Sequence, residues 1–201
     1  MATTSADRTL AALKAGNTRY KEGRSTAKHW QSIKSNRPQN PSAIVLSCSD
    51  SRVPVEIIFD QGLGELFVIR VAGNIAAPSQ IASIEFAVTQ FQTPIIIVLG
   101  HTDCGAINAT VKRLSQKKEQ SPDNLSAIVN RIAPSIASLV GPAPIEMNEA
   151  LAHQCMQANV HASMNQLREG SKPILDRTTS GELAICGAFY DLETGKVSFL
   201  S

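Results

Sequence analysis

Three short, uninterrupted apolar runs constrain this chain more than any other feature. They are 43–47 (Ala-Ile-Val-Leu-Ser), 66–71 (Leu-Phe-Val-Ile-Arg-Val) and 94–100 (Pro-Ile-Ile-Ile-Val-Leu-Gly). A strand with one wet face alternates apolar and polar residues, whereas a continuous apolar run suits a strand covered on both faces. Helix-length segments fit between and after the runs. Ser79 is placed to cap a helix that carries Ile81, Ile84, Val88 and Phe91 on one face, and 105–118 reads as another helix. Strands alternating with helices predict an α/β fold whose mainly parallel central β-sheet is flanked by helices.

The flanking segments complete that picture. Residues 5–23 predict a helix with Leu10, Leu13 and Tyr20 on one face, stopped at Gly23. A polar connector over 24–42 carries Pro38 and Pro41. Residues 119–124 read as a loop, and Gly141-Pro142-Ala143-Pro144 as a break between helices. A long helix is expected over 145–169, ending at Gly170. A late strand over 183–190 then turns through 191–195 into a C-terminal antiparallel edge strand, 196–200. The economical division is one domain over 1–201, with 1–38 as an N-terminal helical arm and connector and 39–201 as the α/β domain.

A chain of 201 residues buries a sizeable core without disulfides. With 19 basic against 17 acidic residues there is no electrostatic case for nucleic acid or an anionic membrane surface. No apolar run approaches the roughly 20 residues a membrane-spanning helix requires. The first residues lack an apolar signal region, so a cytoplasmic, reducing setting is expected, with Cys48, Cys104, Cys155 and Cys186 as free thiols.

Two small clusters carry chemistry, each directly after a predicted strand. In Cys48-Ser49-Asp50-Ser51-Arg52 an extended backbone turns Cys48, Asp50 and Arg52 the same way. In His101-Thr102-Asp103-Cys104 a turn into a helix brings His101 and Cys104 together, and the helix N-terminus favours the Cys104 thiolate. Parallel strands deliver both clusters to one sheet edge. Two thiolates, an imidazole and a carboxylate suit tetrahedral Zn²⁺ better than Ca²⁺ or Mg²⁺. Alone, each residue also fits a blander role: a core cysteine, a satisfied strand-end histidine, a surface Asp50–Arg52 salt bridge. If Arg52 draws Asp50 away from a metal, the fourth position opens to water; if Asp50 ligates, the site is closed.

Both clusters, in this order, resemble the signature segments of the β-class carbonic anhydrases: Cys48-Ser49-Asp50-Ser51-Arg52-Val53-Pro54 and Gly100-His101-Thr102-Asp103-Cys104-Gly105. Gly64–Arg70, Ala72-Gly73-Asn74 and Ser83–Val88 match between them, so the strong resemblance covers about 39–112. It implies reversible hydration of CO₂ to bicarbonate and a proton by attack of zinc-bound hydroxide. It also implies one Zn²⁺ per chain, with Cys48, His101 and Cys104 as constant ligands and Asp50 and Arg52 as the dyad that opens or closes the fourth position. Gln39, Phe67, Phe86 and Gly105 fall at substrate-binding positions. A homodimer or homotetramer is implied, with the N-terminal helix packed across a neighbour and Gln39 and the phenylalanines reaching a neighbour's site. Where some members carry a tryptophan that helps form a regulatory bicarbonate pocket, this chain has Val45, so that pocket is not expected.

Two rival readings share these residues. A CS₂ or COS hydrolase on the same scaffold would attack a similarly linear, apolar molecule, and a non-catalytic zinc protein would have no need of the Asp50–Arg52 dyad. No Cys-x-x-Cys supports a thiol redox function. His153 and Cys155, two apart on a predicted helix, do not face one metal. Cys186 reads as a small core residue, and Trp30, His29 and His161 have no assignment.

Overall fold

A computed structural model describes residues 4–26, 38–115, 123–141 and 147–200. Its sheet contains β1 (Ala43–Ser47), β2 (Leu66–Arg70), β3 (Ile95–His101), β4 (Ala184–Tyr190) and β5 (Val197–Phe199). The strand order is β2-β1-β3-β4-β5; the first four are parallel and β5 is antiparallel to β4. All five β1 residues and all seven of β3 are buried. Ile44, Leu46, Ile96 and Val98 pack on one face, and Val45, Ile95, Ile97 and Leu99 on the other. That two-sided burial accounts for the continuous apolar runs.

Around the sheet lie α1 (Ser5–Lys21), α2 (Val55–Ile58), α3 (Pro78–Phe91), α4 (Gly105–Ser115), α5 (Ser126–Val140), α6 (Glu149–Gly170) and α7 (Lys172–Thr179), with a 3₁₀ turn at Ala72–Asn74. Helix α1 opens with a capping box between Thr4 and Asp7. It docks on its own chain through one buried side chain. Buried Asn17 donates to the Ile58 and Gly195 carbonyls at 3.2 and 2.9 Å and accepts from the Val197 amide at 2.8 Å. Gly16 lets the helix approach: a Cβ there would stand 1.9 Å from the Phe59 carbonyl oxygen.

Several boundaries differ from the sequence reading. Ser79 does not cap α3; the helix starts at Pro78 with Ala77 as N-cap, because proline's fixed φ suits the first turn, and Ser79 Oγ instead meets Gln80. Helix α6 starts at Glu149, capped by the Asn148 side chain, rather than at 145. Helix α7 was not anticipated; Ser171 caps it and Pro173 sits in its first turn. The connector over 27–37, including His29 and Trp30, the loop at 119–122 and the prolines at 142 and 144 lie outside the described residues. No described helix is long and apolar enough to cross a membrane.

Candidate active site

The strand order places the site. From β1 the chain steps to β2 on one side, and β3 then returns on the other, so the direction of winding reverses between β1 and β3. Open parallel sheets bind ligands at the carboxyl ends of the strands flanking such a reversal. Cys48 immediately follows β1, and His101 is the last residue of β3. Asp103 adopts a left-handed backbone, φ 53°, which turns the chain sharply from β3 into α4. Cys104 therefore meets His101 at the N-terminus of α4, where the helix dipole favours a thiolate.

Ligand atoms of Cys48, His101 and Cys104 all lie within 4.8 Å of one another, and all three residues are buried. His101 Nδ1 contacts the Thr102 carbonyl at 2.8 Å, which fixes the proton on Nδ1 and leaves Nε2 as an acceptor. That Nε2 is buried and has no hydrogen-bond partner among the described residues. An orphaned buried imidazole nitrogen beside two thiols fits a cation, which would satisfy it. The Cys104 thiol holds Cys48 well below the ordinary cysteine range, helped by His101 and the Gly73 amide and opposed by burial. Cys104 is in turn pushed up by the Cys48 contact and by burial. The pair gives up one proton readily and retains the second, which a bound cation would displace.

Beside this trio stands the carboxylate–guanidinium pair. Arg52 reaches Asp50 with Nε at 3.0 Å from Oδ1 and Nη2 at 2.8 Å from Oδ2, while its backbone amide adds a bond to Oδ1 at 2.9 Å. Asp50 Oδ2 is still only 4.0 Å from His101 Nε2. The Arg52 guanidinium holds the Asp50 carboxyl far below the usual carboxylate range. Bidentate geometry keeps the carboxylate ionised and directs it to arginine. The segment is not extended as expected: residues 51 and 52 form a turn, which still brings Asp50 and Arg52 together.

Four contributors at the site escaped the sequence reading. Arg70 donates to the carbonyls of Cys48 at 3.1 Å and Asp50 at 2.5 Å, tying down the backbone between the first two cluster residues. The pairing of Ser47 with Arg70 in parallel register was its available signal. The Gly73 amide donates to Cys48 Sγ at 3.3 Å. Asp103 contacts Arg52 at 3.3 Å from the opposite side. Thr102 accepts from the Leu192 amide at 3.0 Å, pinning the turn that carries His101 to the hairpin after β4.

The remaining sequence-predicted positions separate into two groups. Gly105 opens α4 beside Cys104 and is exposed. Phe67 pairs with Ile44, four residues ahead of Cys48 in β1, so it lies about 13 Å back from the ligand edge at 3.3 Å per residue. Phe86 is 50% exposed on α3 and clusters with Phe67 and Phe91, at ring-centroid distances of 6.3 and 5.8 Å. Gln39 is exposed ahead of β1, at the end away from Cys48. A cleft of about 990 Å³ beside the ligands is lined by His101, Cys104, Asn108, His153 and Asp191 among others, and by none of Gln39, Phe67 and Phe86. Of the other thiols, Cys155 is buried and Cys186 half-buried.

A family model described as carbonic anhydrase matches residues 43–197. Over 192 residues the chain is 37% identical to carbonic anhydrase 2 of Mycobacterium tuberculosis, with 92% of this chain and 88% of the relative covered. The chain belongs to the β-class carbonic anhydrases. A carbonic anhydrase of Mycolicibacterium smegmatis is likewise 37% identical, covering 94% of this enzyme and 91% of that one. Among solved structures, the β-carbonic anhydrase CafA of Aspergillus fumigatus matches with TM-score 0.71 at 23% identity, over 81% of this chain and 76% of that one. The β-carbonic anhydrase CcaA matches with TM-score 0.68 at 28% identity, over 82% and 75%. This carbonic anhydrase thus shares the family's sheet, and its two clusters sit where that sheet's winding reverses.

Proposed function

We propose that Cys48, His101 and Cys104 hold one Zn²⁺ per chain, and that the enzyme uses it to hydrate CO₂ reversibly to bicarbonate and a proton. The observation that carries this is the convergence, within 4.8 Å, of two thiols and a buried imidazole Nε2 that has no hydrogen-bond partner among the described residues. A zinc ion bound there lowers the pKa of a coordinated water to about 7 and so supplies hydroxide near neutral pH. The chain's own residues do the rest. The Thr102 carbonyl fixes the His101 tautomer, and the Gly73 amide bonds Cys48 Sγ. Arg52 holds Asp50 by a bidentate grip, turned from the ligand trio yet within 4.0 Å of His101 Nε2. So placed, the Asp50 carboxylate would accept a hydrogen bond from a hydroxyl group held beside the trio and so orient it; released from Arg52, it would be free to turn toward the trio as a further oxygen donor.

Substrate contacts belong to Gln39, Phe67, Phe86 and Gly105 on this reading. Because Gln39 and the two phenylalanines stand away from their own chain's trio, we assign them to the site of a second copy in a homodimer or homotetramer. The β-carbonic anhydrases of Sordaria macrospora, a structural likeness at TM-score 0.67, are tetrameric. Residues 39–201 then form the zinc domain, with α1 docked on it. Metal analysis with stopped-flow CO₂ hydration tests the proposal: one zinc per chain and turnover are expected, and a zinc-loaded protein without turnover contradicts it. A monomeric variant is expected to keep zinc and lose activity; full activity in a demonstrated monomer removes the shared-site assignment.

A further inference from the structure

Helix α6 sits on the sheet at short range. A Cβ at Gly100 would lie 2.9 Å from Val160 Cγ2, and one at Gly187 2.9 Å from Val160 Cγ1, so side chains at either position would lift the helix. The close seating brings two buried polar side chains, one helical turn apart, onto the 3₁₀ turn at Ala72–Asn74. Asn159 Nδ2 donates to the Gly73 carbonyl at 2.8 Å, and Ser163 Oγ donates to the Asn74 carbonyl at 3.0 Å. Both acceptor residues have left-handed backbones, with φ of 70° at Gly73 and 44° at Asn74. For an asparagine that conformation is uncommon and is maintained by its surroundings. From the other side α5 closes on the turn, since a Cβ at Gly73 would stand 2.7 Å from Ile132 Cδ1. The residue so held by its carbonyl is the one whose own N–H, in the preceding peptide, reaches Cys48 Sγ at 3.3 Å.

We propose that Asn159, supported by Ser163, is a positioning residue of the metal centre: by anchoring the Gly73 carbonyl it fixes the left-handed Gly73 backbone, so that the N–H of the preceding peptide is delivered to the Cys48 sulfur. The inference rests on the zinc reading of Cys48, His101 and Cys104. An N–H donated to a thiolate withdraws charge from the sulfur, compensates its burial and tunes what the sulfur gives to a metal. Asn159 and Ser163 are 2% and 1% exposed, on a helix whose neighbouring positions Cys155, Met156 and Val160 are buried and apolar. Buried polar groups persist when their bonds are made. Here the bonds end on the turn whose Gly73 N–H touches Cys48 Sγ. Asn17 provides an internal contrast, since it is equally buried and hydrogen-bonded but lies with α1 on the opposite face of the sheet.

Cobalt substitution tests this directly, because thiolate-to-cobalt charge transfer reports the electron density on sulfur. In Asn159→Ala the band is expected to move to lower energy, and competition with a chelator to show zinc affinity lowered about 10- to 100-fold. Ser163→Ala is expected to shift both readouts in the same direction by less. Asn17→Ala is expected to lower the unfolding temperature and leave the band and the affinity unchanged. An Asn159→Ala protein with the unsubstituted band position and affinity overturns the proposal, as does an equal shift in Asn17→Ala. If Asn159→Ala does not fold, Ser163→Ala decides: a shifted band supports the assignment and an unshifted one overturns it. A wild-type chain that binds neither cobalt nor zinc removes the zinc reading itself, an outcome distinct from an unshifted band in a loaded variant.

Discussion

Replacing Arg52 by alanine separates metal retention from catalysis. The side chain makes two charge-assisted bonds to Asp50, at 3.0 and 2.8 Å, and both are lost; the Arg52 backbone amide, 2.9 Å from Oδ1, remains. None of the three converging ligand atoms touches Arg52, so zinc is expected to stay at one per chain. Asp50 Oδ2, already 4.0 Å from His101 Nε2, loses the grip that turns it from the ligand trio. Losing such an outer partner typically costs 10- to 100-fold. With two of three bonds removed and one retained, kcat/KM is expected to fall about 30-fold. Arg52→Lys keeps the charge and loses the fork, so it is expected to recover only a small part of that loss. Stopped-flow CO₂ hydration on protein of measured zinc content is the assay. An Arg52→Ala enzyme with undiminished kcat/KM refutes the reasoning, and loss of zinc would place Arg52 in metal binding instead.

Other substitutions probe the remaining parts of the account. Cys104→Ser is expected to abolish zinc retention and CO₂ hydration together, read by metal analysis and stopped flow, because a hydroxyl is a poor substitute for a thiolate. Asn17→Ala leaves a buried Val197 amide and two carbonyls short of a partner, a loss of about 2–4 kcal/mol. For a chain of 201 residues that corresponds to roughly a 6–12 °C lower unfolding temperature by calorimetry. A loss that instead varies steeply with protein concentration would place α1 on a second copy. Gly16→Ala drives a methyl into the Phe59 carbonyl oxygen, so a larger drop is expected in the same experiment.

The legible parts of the fold were those in which one local property decides the outcome. Residues 43–47 and 94–100 read as buried strands because central parallel strands need apolar residues on both faces, and β1 and β3 occupy that centre. Cys48, Asp50, Arg52, His101 and Cys104 read as one site because parallel strands share a carboxyl edge. What stayed hidden depends on contacts between distant segments. Asn159 meets Gly73 across 86 positions, and nothing in its own helix marks it as different from a surface asparagine. Gly73 and Asn74 carry their role in a left-handed backbone, which the residue names alone do not fix. Helix α1 shows an apolar face in sequence, but which surface it covers depends on Asn17 finding carbonyls near residues 58 and 195. Phe67 and Phe86 carried a family role that their own chain's geometry does not bring to the ligand edge.

Zinc stoichiometry coupled to activity tests the central claim most directly. The purified chain is stripped with a chelator, titrated with Zn²⁺ and assayed for CO₂ hydration at each step. No turnover is expected from the stripped protein, followed by a rise that saturates at one zinc per chain. Turnover by metal-free protein, or saturation with zinc without turnover, would contradict the claim.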